Sequence, residues 1–95
     1  MKHCILVKWN KLIINKKELL PGIQSIFDKL LSLDGLNSIR IYENVIDRSN
    51  RYDLMICIDM EKSFLPIYDS SDSHLEWKEK YGKFVEKKAI FDFEE

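Results

Sequence analysis

A chain of 95 residues holds one domain, and by surface scaling it buries roughly 65% of the surface its extended form exposes. Fifteen Lys and Arg against sixteen Asp and Glu leave a net charge of -1, which excludes the basic footprint that a nucleic-acid or anionic-membrane partner requires. The two cysteines, Cys4 and Cys57, are too few for a disulfide framework; each stands in an apolar run and reads as a buried reduced thiol, so cysteine catalysis is not expected.

His3 to Trp9 has the pattern of a first strand, with His3, Ile5, Val7 and Trp9 on one face and Cys4, Leu6 and Lys8 on the other. The apolar run within it stops at Lys8, too short for a signal peptide, and the longest run elsewhere is Leu54 to Ile58. A cytoplasmic location and no membrane partner are the expectation. Asn15 to Glu18 has the form of a capping box, and Leu19, Ile23, Ile26, Phe27, Leu30 and Leu31 then recur at helical spacing. This predicts a helix over 16–33. Pro21 cannot donate to the Lys17 carbonyl, so a kink or a late start is expected there, and Asp34-Gly35 ends the helix.

Residues 38–45 alternate as a half-buried strand, with Ile39, Ile41 and Val45 inward and Arg40, Tyr42 and Asn44 outward. A polar turn over 46–50 leads to the longest strand candidate, 51–60. In it Tyr52, Leu54, Ile56, Ile58 and Met60 oppose Asp53, Met55, Cys57 and Asp59. The two segments pair as an antiparallel hairpin. Residues 61–68 form a short helix with Pro66 near its first turn. After a loop over 69–72, Ser73 to Glu76 reads as a capping box with Ser73 as N-cap. The helix it opens runs to Val85 and turns His74, Trp77, Tyr81, Phe84 and Val85 inward on one stripe. A fourth strand over 87–94 sets Ala89, Phe91 and Phe93 against Ile90 and Asp92.

The order strand, helix, strand, strand, helix pair, strand is the split βαβ pattern of an α+β, ferredoxin-like domain, a four-stranded antiparallel sheet with helices on one face. Its other face would carry Cys4, Leu6, Met55, Cys57 and Ile90 as an exposed apolar patch. A second copy of the sheet would cover it, so the expected assembly is a homodimer.

Lys2-His3 opening an apolar strand, Asp34-Gly35-Leu36 before the second, Arg51 to Leu54 opening the third, Tyr68 followed six residues later by His74, and Phe91 to Glu94 closing the chain together resemble a stress-responsive A/B barrel domain (Dabb), a dimeric α+β barrel. The resemblance spans nearly the whole chain and rests on order and spacing, since each motif is short. It implies a homodimer whose sheets close face to face. Members of that family include plant polyketide cyclases that use a helix-start histidine with a tyrosine as acid and base without a cofactor; His74 and Tyr68 match those positions, and His3 matches a further histidine on the first strand. Two departures stand out. Ser71-Asp72 replaces a His-Pro pair common before the helix histidine, and Leu54 stands where the cyclases place another polar ring.

An imidazole in the first turn of a helix faces the positive end of the macrodipole, which favours its neutral, basic form. His74 is thus the candidate base. Tyr68 can hydrogen-bond a carbonyl oxygen and His3 can orient it, which suits an acidic carbon beside a carbonyl. Ile5, Val7, Phe27, Leu54, Ile56, Trp77 and Tyr81 would line an apolar small-molecule pocket. The competing reading makes both histidines core residues with backbone partners. No metal is expected: the Asp69 to Asp72 run lacks calcium-loop spacing, and two histidines without a Cys pair do not make a zinc site. No cofactor is called for. Haem on His74 beside Trp77 is the alternative that other dimeric α+β barrels offer.

Overall fold

The computed structural model describes residues 1–95. Strand β1 (Lys2–Trp9) leads through a 3-10 turn into helix α1 (Leu20–Asp28), followed by β2 (Leu36–Glu43), β3 (Leu54–Met60), α2 (Leu65–Asp69), α3 (Asp72–Tyr81) and β4 (Val85–Phe93). All pairings are antiparallel, in the order β2-β3-β1-β4. This is the expected α+β, ferredoxin-like sheet.

Periodicity placed the helices but not their limits: the helix expected to run to Val85 ends at Tyr81, and Val85 opens β4. Pro21 sits within the first two positions of α1, where a missing donor costs nothing. The chain before it, Lys16–Leu19, is 3-10, so the α-helix does start late, at Leu20. Asn15 makes no cap bond to the backbone; its amide donates to Glu18 Oε1 at 3.1 Å instead. Gly35 adopts φ 97°, which closes the turn into β2. At α3 the N-cap is Ser71 rather than Ser73: its Oγ accepts from the His74 amide at 3.1 Å. Glu76 therefore lies a turn inside the helix and receives Lys29 and Lys80 at 2.8 and 2.7 Å.

Fifteen residues form one core between the helices and the inner sheet face, among them Ile5, Val7, Ile23, Phe27, Ile56, Ile58 and Trp77. Two strand assignments change. Val45 falls beyond β2 and is 91% exposed. Ile90 pairs with Ile5 and so shares the helix-side face, whereas Phe91 pairs with Cys4 on the open face. The open apolar patch is thus Cys4, Leu6, Met55, Cys57, Ala89 and Phe91, continued by Tyr42 and Phe93. Ile90 is not part of it. Pairing registers, which composition does not encode, make this difference.

Candidate functional site

Three predicted residues, from β1 and the consecutive helices α2 and α3, converge at one end of the core. Tyr68, on α2, is 1% exposed and stands between two imidazoles, with ring centroids 5.4 Å from His3 and 4.8 Å from His74. Alternation on β1 turns His3 to the helix side. The Ser71 cap fixes the first turn of α3 and with it His74. Ser71 Oγ also donates to the Tyr68 carbonyl at 2.7 Å, tying the end of α2 to the start of α3. His74 is half-buried at the rim of the core rather than inside it.

Both rings are held through Nδ1. A backbone carbonyl only accepts, so the 2.8 Å contact between His74 Nδ1 and the Asp69 carbonyl requires Nδ1–H, and in the neutral ring the lone pair is then on Nε2. His3 Nδ1 donates to the carboxylate of Asp92 on β4, which holds that ring the same way. Asp92 was not among the candidate site residues. Period two put it on the same side of β4 as Ile90, which was expected on the open face; the β1–β4 register instead sets both on the helix side, with Asp92 opposite His3.

Tyr68 Oη is the single buried side-chain polar atom without a hydrogen-bond partner. Burial, and secondarily the charge of Asp69, pushes its ionisation well above the ordinary phenol range. The hydroxyl is therefore a donor at any physiological pH, aimed at no acceptor.

The seven expected pocket residues are placed differently from a lined cavity. Ile5, Val7, Phe27, Leu54, Ile56 and Trp77 belong to the close-packed core, each at most 3% exposed, and Tyr81 packs against it. Trp77 stacks on Tyr81 at 5.5 Å and meets Phe27 at 5.6 Å. A surface depression of about 220 Å³ near Tyr42 and Tyr52 touches one of the seven, Leu54. Nearer the three rings, a depression of about 440 Å³ runs along Leu30, Leu33, Ile67 and residues 70–73 of the α2–α3 turn. No trio of His, Cys, Asp or Glu is arranged to hold a metal ion.

No protein-family model matches the chain, and curated proteins give no match by sequence. Solved structures do. A dimeric ferredoxin-like protein of unknown function from Thermobifida fusca YX superposes with TM-score 0.79 at 14% identity, covering 97% of this chain and 87% of that one. A Dabb family protein from Mesorhizobium loti with a ferredoxin-like fold gives 0.73 at 13%, over 99% and 94%. A hydroxynitrile lyase from Passiflora edulis gives 0.73 at 11%, over 97% and 89%. At such identities the likeness is one of fold: the chain is an α+β unit of ferredoxin-like topology, a fold it shares with a Dabb family protein.

Proposed function

We propose that the chain works as a homodimer that binds a small, largely apolar organic molecule bearing an oxygen acceptor, with the Tyr68 hydroxyl as the recognising donor. One observation carries this reading: a buried phenol with no partner, in a core that otherwise satisfies its polar side chains. An unpaired buried hydroxyl is costly, and a ligand carbonyl supplies the missing acceptor. The ligand enters from the α2–α3 turn, where a depression of about 440 Å³ lies beside the five-residue α2, which gives way. Ile5, Val7, Phe27, Leu54, Ile56, Trp77 and Tyr81 then form the apolar wall behind it. No cofactor is needed for such recognition.

The two imidazoles support a second reading, a cofactor-independent cyclase, isomerase or lyase acting on a polyketide-like carbonyl compound. Tyr68 would hold the carbonyl oxygen and stabilise the developing enolate, while His74 Nε2, free because Nδ1 is committed to Asp69, would take the proton from the adjacent carbon. His3, steadied by Asp92, would hold the tyrosine or a second oxygen. The lyase of the same fold from Passiflora edulis is consistent with carbonyl chemistry on this scaffold.

The test is a thermal-shift screen of hydrophobic carbonyl compounds on the wild type, Tyr68→Phe and His74→Ala. Binding only to the native state raises its melting temperature. Stabilisation of the wild type that vanishes in Tyr68→Phe supports the site; an equal response from both proteins rejects it. Binding retained in His74→Ala, with solvent-proton exchange at the ligand's α-carbon lost, favours the enzyme reading.

A further inference from the structure

Cys4 and Cys57, the chain's two cysteines, come from β1 and β3 into direct register on the open face, with their sulfurs 3.2 Å apart. Their place in the ladder is specific. Met1 and Met60 exchange both backbone hydrogen bonds, at 3.0 and 2.9 Å. Alternation then makes His3/Ile58 and Ile5/Ile56 hydrogen-bonded pairs and leaves Cys4/Cys57 a non-hydrogen-bonded one. Such pairs have Cα atoms about 4.5 Å apart, inside the roughly 4.4–6.8 Å that disulfides span. The strands need not move for the sulfurs to join.

The two thiols are unequal. Cys4 is 5% exposed, and burial pushes its thiol up to about 12, helped by the neighbouring Cys57. Cys57 is half-buried, with Arg40 directly across on β2, and is the more accessible of the two sulfurs. The first residue is set up to resolve, the second to attack.

We propose that Cys4 and Cys57 are a redox-active dithiol that closes to a reversible cross-strand disulfide, with a hydroperoxide small enough to reach the seam between two copies as the two-electron oxidant. The Cys57 thiolate attacks the terminal peroxide oxygen; the O–O bond breaks, and the departing oxygen takes a proton to leave as water or an alcohol. Cys4 sulfur then attacks the Cys57 sulfenic acid; the S–O bond breaks, and hydroxide leaves with the Cys4 proton as a second water. Two thiols have lost two electrons and the peroxide has gained them. A dithiol reductant reverses the change. The oxidised form ties β1 to β3 at the centre of the sheet.

The experiment treats reduced protein with hydrogen peroxide, quenches it with an alkylating reagent in denaturant, and reads intact mass beside a non-reducing denaturing gel. Both thiols are expected to disappear together, with loss of two hydrogens, a monomeric band and full recovery in dithiothreitol. Cys4→Ser should instead accumulate a Cys57 sulfenic acid that dimedone traps. Loop closure between residues 53 positions apart is pre-arranged only in the native sheet, so folded protein should oxidise at least about tenfold faster than protein in urea. Equal rates in the two states, cross-linked dimers as the main product, or survival of both thiols would overturn the proposal.

Discussion

Tyr68 concentrates the chemistry of the molecule in one atom. Its hydroxyl lies in a place where a phenylalanine would do better for stability, because removing an unpartnered buried group removes its desolvation cost. Tyr68→Phe is therefore expected to stabilise the fold by roughly 1–3 kcal/mol, read from urea unfolding midpoints, while losing ligand binding. A destabilised variant would mean that the hydroxyl has a native partner. The same burial fixes a pH dependence. The unfolded tyrosine ionises near pH 10 and the folded one only well above that, since burial disfavours the phenolate. The folded state then holds the proton longer, so stability is full below about pH 10 and falls as pH rises beyond it. In Tyr68→Phe the alkaline loss should be shallower, which pH-dependent denaturation measures directly.

At the scale of the element, α3 shows how one cap serves a site. Ser71 accepts from the His74 amide and donates to the Tyr68 carbonyl, so one hydroxyl fixes both the helix start and its distance from α2. Ser71→Ala is expected to cost about 1 kcal/mol, the usual worth of an N-cap. Hydrogen exchange of the first α3 amides, His74 included, should rise selectively. An unchanged exchange pattern would reassign the helix start to another residue. The cap expected at Ser73 fails because Ser71 and Asp72 already supply what a helix start needs: an extended N-cap with a side-chain acceptor and an acid in the first turn. Two competing serines two residues apart are indistinguishable until the preceding helix fixes where the chain can turn.

For the whole molecule, the question is what covers the open sheet. Phe91 is 64% exposed and Tyr42 48%, flanking Cys4, Leu6, Met55 and Cys57 at the centre. Contiguous apolar surface of this kind mediates association, and a second copy with the same face is the proposed occupant. Phe91→Lys should then convert a dimer into a monomer of unchanged secondary structure, measured by light scattering at micromolar concentration. A wild type that is already monomeric, or a variant that still dimerises, would remove this face from the assembly.

Much of the fold was legible along the chain because period and punctuation are local. Alternation fixed the inner face of β1 and β3, Pro21 the late start of α1, and Gly35 the turn after it. The pairing of His74 with Tyr68 could be approached from spacing because six residues and a turn separate them. What crosses the sheet could not. The contact of His3 with Asp92 spans 89 positions and that of Cys4 with Cys57 spans 53, and each depends on register, where a slip of one residue would turn the side chains to the opposite face. The sequence by itself thus determined the elements and their apolar faces, through short-range sterics and hydrophobic periodicity. The tertiary structure alone decided that the expected pocket residues close-pack into core, that Ile90 rather than Phe91 takes the helix-side face, and that one tyrosine is left without a partner, because strand register and core packing are settled by all the elements together.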